Sequence, residues 1–223
     1  VFPSEKQFDE SFRTMLDYES GPHNPNLKIS GAYFRDKLLY KNQSADTDSR
    51  NISNDLILKA ESHRKINQVT SIKKKITDEL SIINSNNYSK NRLRNAATAT
   101  FITESRPYER LSGRILLSET LQDNRIMIPD FSVASEFRIV RGKEYFLKLN
   151  ASRNSKYPSL NDMYWNPGGN PDLRNENGWL FEAGIDLSGK ITQHLKIKND
   201  ITFIKTFIND LIQWHPGTNG AIW

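Results

Sequence analysis

Tyr164, Trp165 and Trp214 are the side chains of this sequence best suited to holding a ligand. Each is a large aromatic residue set among Gly, Pro, Asn and Asp, and therefore on a loop. Rings on loops offer flat apolar area to a flat partner, and offset stacking adds to what burial gives. The plain alternative is that they pack the loops against one another. Other chemistry has less behind it. His23, His63, His194 and His215 stand apart, with no HxxxH or HxH spacing, so no metal site is expected. Asn42, Ser44, Asp46, Thr47 and Asp48 make the 42–51 stretch rich in oxygen, but it lacks the ordered ligands and the Gly of a calcium loop and reads as solvated. No GxSxG nucleophile elbow occurs, and NPGGNP places prolines where a phosphate-cradling loop needs a helix N-terminus. No enzymatic activity and no cofactor are expected.

The elements that must carry these loops are strands. Among 223 residues, 26% are charged and 36% hydrophobic, and the mean hydropathy is −0.66. No run of about 18 apolar residues exists, which excludes a membrane-spanning helix but not a transmembrane β-barrel, where only alternate residues meet lipid. With 0 Cys, disulfides, thiolate catalysis and Cys-based metal sites are excluded. The formal charge of +5 comes from cations scattered among acids, with Lys73-Lys74-Lys75 the tightest run, so nucleic acid is not an expected partner. Val1 is followed by neither a basic n-region nor an apolar core, and the chain stops at Trp223 after HPGTNGA. We expect an internal piece of a longer protein.

Period-two alternation is plain in the second half. Phe181, Ala183, Ile185 and Leu187 oppose Glu182, Gly184 and Asp186, while Ile197, Ile201, Phe203 and Phe207 oppose Lys196, Lys198, Asp200 and Thr202. Tyr145, Leu147, Leu149 and Ala151 oppose Lys148, Asn150 and Ser152 in the same way. Strands are expected at about 6–19, 26–39, 52–64, 69–82, 92–104, 108–119, 127–139, 143–155, 176–188 and 191–208. Links near 20–25, 65–68, 105–107, 140–142 and 189–190 are short. Those near 40–51, 83–91, 120–126, 156–175 and beyond 208 are longer and polar. Alternation of short turns with long loops is the habit of outer-membrane barrels. Two segments resist: Ile66, Val69, Ile72, Ile76, Leu80 and Ile83 recur at helical spacing, as do Phe8, Phe12, Met15 and Leu16. As a strand, the first would carry Lys74 and Asp78 on its apolar face, and these charges must then lie near an interface.

The stretch YPSLNDMYWNPGGNPDL, Tyr157 to Leu173, and the later Asn209-Asp210-Leu211-Ile212-Gln213-Trp214 carry a family resemblance. They resemble TonB-dependent outer-membrane receptors, especially the cobalamin-receptor-like ones of Bacteroidetes type. In these a Pro/Ser-Leu-x-x-Leu-Tyr strand end leads into Gly-Asn-Pro-x-Leu. Here Tyr157-Pro158 stands where Ala-Pro is frequent, and Met163 where Leu is. The match runs from about Ile126 to Trp223 and is generic upstream. The resemblance implies an all-β, antiparallel up-and-down transmembrane barrel of which 1–223 would be an arc of about ten strands out of twenty-two. The plug domain, the energy-coupling box and the last strands have no counterpart in this chain. It further implies energy-dependent import of a large scarce ligand, cobalamin first and a siderophore or haem second. The partners would be the TonB complex, outer-membrane lipid and a surface lipoprotein. The competing expectation from the residues is a soluble two-layer β-sandwich binding module.

Overall fold

The structure, a computed structural model, describes residues 5–21, 25–42, 47–166, 168–190 and 195–213. Eleven strands and one short helix follow in chain order. They are β1 (Glu5–Glu19), β2 (Asn26–Asn42), β3 (Thr47–Lys65), β4 (Thr70–Ser85), β5 (Arg92–Tyr108) and β6 (Leu111–Gln122). Then come β7 (Arg125–Ile126), β8 (Asp130–Arg138), β9 (Glu144–Lys156), α1 (Leu160–Tyr164), β10 (Glu176–Lys190) and β11 (Lys196–Asn209). All strands join one antiparallel sheet in the order β1-β2-β3-β4-β5-β6-β8-β9-β10-β11, with β7 beside β6, and the sheet does not close on itself. Each of the ten principal strands overlaps one expected from the sequence, with ends shifted by up to five residues. Among the described residues no helix could cross a membrane.

The register gathers the alternating residues onto two unlike faces. One cross-strand row runs Lys74, Phe101, Leu117, Phe131, Arg153, Trp179, Phe207 across seven strands. A lower row on the same side runs Ile201, Ile185, Leu147, Phe137, Leu111. The opposite face carries ladders of polar contacts. Thr98 meets Thr120 and Thr100 meets Ser118, each at 3.0 Å. Ser132 donates to Asn150 at 3.0 Å and Asn150 to Glu182 at 2.8 Å. Lys148 pairs with Asp186. The faces assigned from sequence are therefore the observed ones. Strands such as β3, with 19 residues, exceed the roughly 9–11 needed to cross hydrocarbon, so they project beyond it.

Most apolar side chains of this sheet stay half or fully exposed. The buried hydrophobic residues are Met127, Leu160 and Met163, joined by the fully buried Pro158. The accessible surface of 16033 Å² compares with about 10,400 Å² for a compact globular chain of this mass. The two-layer sandwich is thereby overturned: a single sheet has no second layer to bury its apolar face. The helical spacing in 63–84 and 8–16 is overruled too, since β4 and β1 gain ladder pairing that an isolated helix cannot match.

Two connections differ from the expected loops. The 120–126 stretch is a tight hairpin, with Gln122 opposite Arg125 and both Asp123 (φ 48°) and Asn124 (φ 64°) left-handed. That is the primed turn whose twist suits hairpins, supplied here by Asp-Asn rather than Asn-Gly. The stretch after Lys156 is no strand end but α1, closed by a capping box: Ser159 Oγ accepts from Asp162 N at 3.1 Å and Asp162 Oδ2 from Ser159 N at 2.8 Å. The contrast of short turns and long loops is carried mainly by 157–175, because β2 and β3 run on through the polar residues expected to be loop.

Candidate functional site

The packed apolar core of the molecule lies beneath the β9–β10 connection, which folds over the polar face at one end of the sheet. Asn170 N donates to Asp162 O at 2.8 Å and Gly169 N to Trp165 O at 2.6 Å, turning the loop back onto α1. A Cβ on Gly169 would lie 2.5 Å from Trp165 N and 2.6 Å from Tyr164 N, so a residue without a side chain is required there.

Two arginines on the polar face of β5 receive this loop. Arg94 donates to the carbonyl of Pro158 at 2.9 Å, lies 4.8 Å from the Tyr157 ring centre, and approaches Asp123 of the β6–β7 turn at 3.9 Å. The guanidinium of Arg92 sits 3.5 Å over the Tyr164 ring. Such cation–π contacts gain from partial desolvation. From the β4–β5 loop, Tyr88 donates its hydroxyl to Asn161, and Asn87 O accepts from Asn166 N at 2.9 Å. Burial pushes the Tyr88 phenol above its usual value, against the pull of Arg94 and Arg92, so it stays a donor at neutral pH. Asn87 also donates to Ser49 Oγ at 2.7 Å, and Asn86 to Asp48 O at 2.7 Å, bringing in the start of β3. Three connections and the start of β3 are thus tied into one unit.

Of the residues expected to hold a ligand, Tyr164 and Trp165 lie together at the end of α1, both half-buried. Trp214 lies outside the described residues, as do His23, His194, His215 and the 43–46 part of the oxygen-rich loop. Tyr88 and Tyr157 also belong to this loop unit, because Asn161 and Arg94 give them partners on the polar side. Arg92, Arg94, Asn87 and Asp123 were not singled out by residue type. The signal available was Arg-Leu-Arg at 92–94, which sets two cations on one face of a strand. Farther along the same face is an open basin of about 1410 Å³ lined by residues such as Glu104, Arg114, Glu136, Lys148, Glu182 and Asp200.

No protein-family model matches the chain. It is 35% identical over 69 residues to the vitamin B12 transporter BtuB of Vibrio vulnificus, covering 30% of this chain and 10% of that protein. It is 33% identical over 86 residues to the vitamin B12 transporter BtuB of Photobacterium profundum, covering 39% and 12%. The chain therefore aligns with only about a tenth of these curated relatives. Its fold matches the solved siderophore receptor PirA from Pseudomonas aeruginosa with a TM-score of 0.61 at 10% identity, over 90% of this chain and 55% of that one. At that identity the likeness speaks for the fold alone. These relatives are transporters and receptors, not enzymes. In sequence and fold this chain is similar to an arc of the barrel wall of TonB-dependent outer-membrane receptors, the cobalamin-receptor-like ones among them.

Proposed function

We propose that the whole protein imports a large, scarce nutrient of the cobalamin type across the outer membrane, driven by the TonB complex. Residues 1–223 form part of the translocation barrel. Plug, coupling segment and remaining strands belong to parts of the protein outside this chain. The observation that supports this most is the β9–β10 loop folded over the polar face, which sets Tyr164 and Trp165 at one mouth of the wall. We assign Tyr164, Trp165 and Trp214 as ligand contacts. A surface lipoprotein over that mouth is the further partner the resemblance implies. Polar walls with half-buried aromatics at the entrance suit a ligand that is flat in part and polar at its rim. A ferric siderophore is the second reading, which the family resemblance implies.

The test titrates cobalamin and a ferric siderophore side by side against the full-length receptor and its Tyr164→Ala/Trp165→Ala/Trp214→Ala variant. Cobalamin affinity should fall at least about tenfold, equivalent to roughly 1.4 kcal/mol. Unchanged affinity removes these three residues from the site. A wild-type receptor that binds only the siderophore sinks the cobalamin assignment.

A further inference from the structure

The outward wall of β8 to β11 carries an apolar groove and, among the described residues, two cations with no acid beside them. Three successive cross-strand rows define it. The first is Phe207, Trp179, Arg153, Phe131; the second Lys205, Phe181, Ala151, Val133; the third Phe203, Ala183, Leu149, Ser135. Ala151 and Ala183 leave space between larger neighbours. The result is a groove of about 470 Å³ lined mainly by Val133, Leu149, Ala151, Phe181, Ala183 and Phe203, with Ser135, Asn150 and Glu182 completing it; the side chains of Asn150 and Glu182 meet on the inward face. Above it the rings of Phe131 and Trp179 meet edge-on at 5.2 Å, and those of Trp179 and Phe181 stack at 5.9 Å.

Both cations lean toward the mouth that holds the loop unit. Arg153 reaches Asn177 Oδ1 at 3.4 Å, and Lys205 Nζ lies 5.3 Å from the Phe207 ring centre. On the inward face three of the five lysines of these strands have carboxylate partners: Lys148 pairs with Asp186, Lys156 with Glu176 at 3.3 Å and Lys196 with Glu144 at 3.0 Å. Among the described residues of β8 to β11, the outward face has no Asp or Glu at all. Cations on a lipid-facing wall are costly unless they reach the interface or meet an anion. The apolar rows below, the aromatic collar and the two uncompensated positive charges together match an amphiphile with a negative head.

We propose that this groove binds one acyl chain of an anionic membrane lipid, whose phosphate is held by Arg153 and Lys205. The guanidinium fork suits phosphate oxygens, and the lysine adds a point charge beside it. The site lies on the outside of the wall and is independent of whatever the receptor transports.

Native mass spectrometry of the full-length receptor, with phosphatidylglycerol or phosphatidylcholine added at equal concentration, tests it. Phosphatidylglycerol should be retained with a preference of roughly five- to twentyfold, the scale expected for one or two cations at a membrane surface. Arg153→Gln/Lys205→Gln should erase the preference, and Ala183→Leu, which fills the groove, should weaken retention of both lipids. Heat-modifiable migration on gels confirms that each variant is a folded barrel. Equal retention of the two lipids by the wild type overturns the proposal. So does a preference that survives the double substitution, or retention unaffected by Ala183→Leu. Displacement of the lipid by inorganic phosphate also overturns it, since the site would then recognise an anion and not a lipid.

Discussion

At the scale of single residues, Arg94 links more of the loop unit than any aromatic does. It contacts Pro158, Tyr157 and Asp123, which lie on two different connections, while its own backbone belongs to β5. Its side chain is 18% exposed, so its contacts are only weakly screened. Removing it leaves the Pro158 carbonyl and the Asp123 carboxylate to find other partners. For Arg94→Ala in the full-length receptor, amide exchange at Met163 and Trp165 should speed up about tenfold or more, since a hydrogen bond to a charged group contributes about 1.5–3 kcal/mol. Their amides donate to Ser159 O at 3.2 Å and Asn161 O at 3.1 Å, so they report the integrity of α1 directly. Arg94→Lys should rescue only part of this, because an ammonium cannot span both partners as the fork does. Exchange rates equal to wild type would show that α1 is held by its own capping box alone.

At the scale of elements, the strands are decided by what lies on each face and not by intrinsic preference. Ile185 lies between Leu147 and Ile201 on the outward face, and Asp186 on the next position inward pairs with Lys148. Ile185→Arg should cost roughly 2–4 kcal/mol if it lies near the middle of the bilayer, whereas Leu180→Thr on the polar side should cost far less. Urea unfolding of the full-length receptor refolded into lipid vesicles measures both. A larger loss for Leu180→Thr would mean that the faces are exchanged, which a register slip of one residue would do. The troublesome charges of β4 also find their place here. Lys74 stands opposite Phe101 in the register, and Asp78 lies farther along the strand, where Asn95 donates to it at 3.0 Å.

At the scale of the molecule, the described strands form one layer with β1 and β11 as its two edges. β11 is exposed along its whole length and β1 nearly so. Unpaired strand edges and an apolar band are both routes to aggregation. Residues 1–223 produced alone and placed in buffer without detergent should sediment as large aggregates. A monodisperse, folded monomer in analytical ultracentrifugation would contradict the single-layer architecture.

Alternation determined the strands of the second half and which of their faces is polar, because a period of two leaves each residue on a definite side whatever its neighbours do. The Gly-Asn-Pro stretch likewise marked the position of the β9–β10 loop, since those residues end regular structure locally. What the loop does could not be read this way. The choice between helix and strand for 63–84 depended on pairing with β3 and β5, contacts distant in sequence. The setting of Tyr164 depended on Arg92, 72 positions earlier, and that of Tyr157 on Arg94; neither arginine differs in type from others that face solvent. The outward groove also needed the register, because Ala151, Ala183 and Phe203 become neighbours only when three strands are aligned residue against residue. Local chemistry specifies each strand and each turn. Which side chains meet is a property of the sheet.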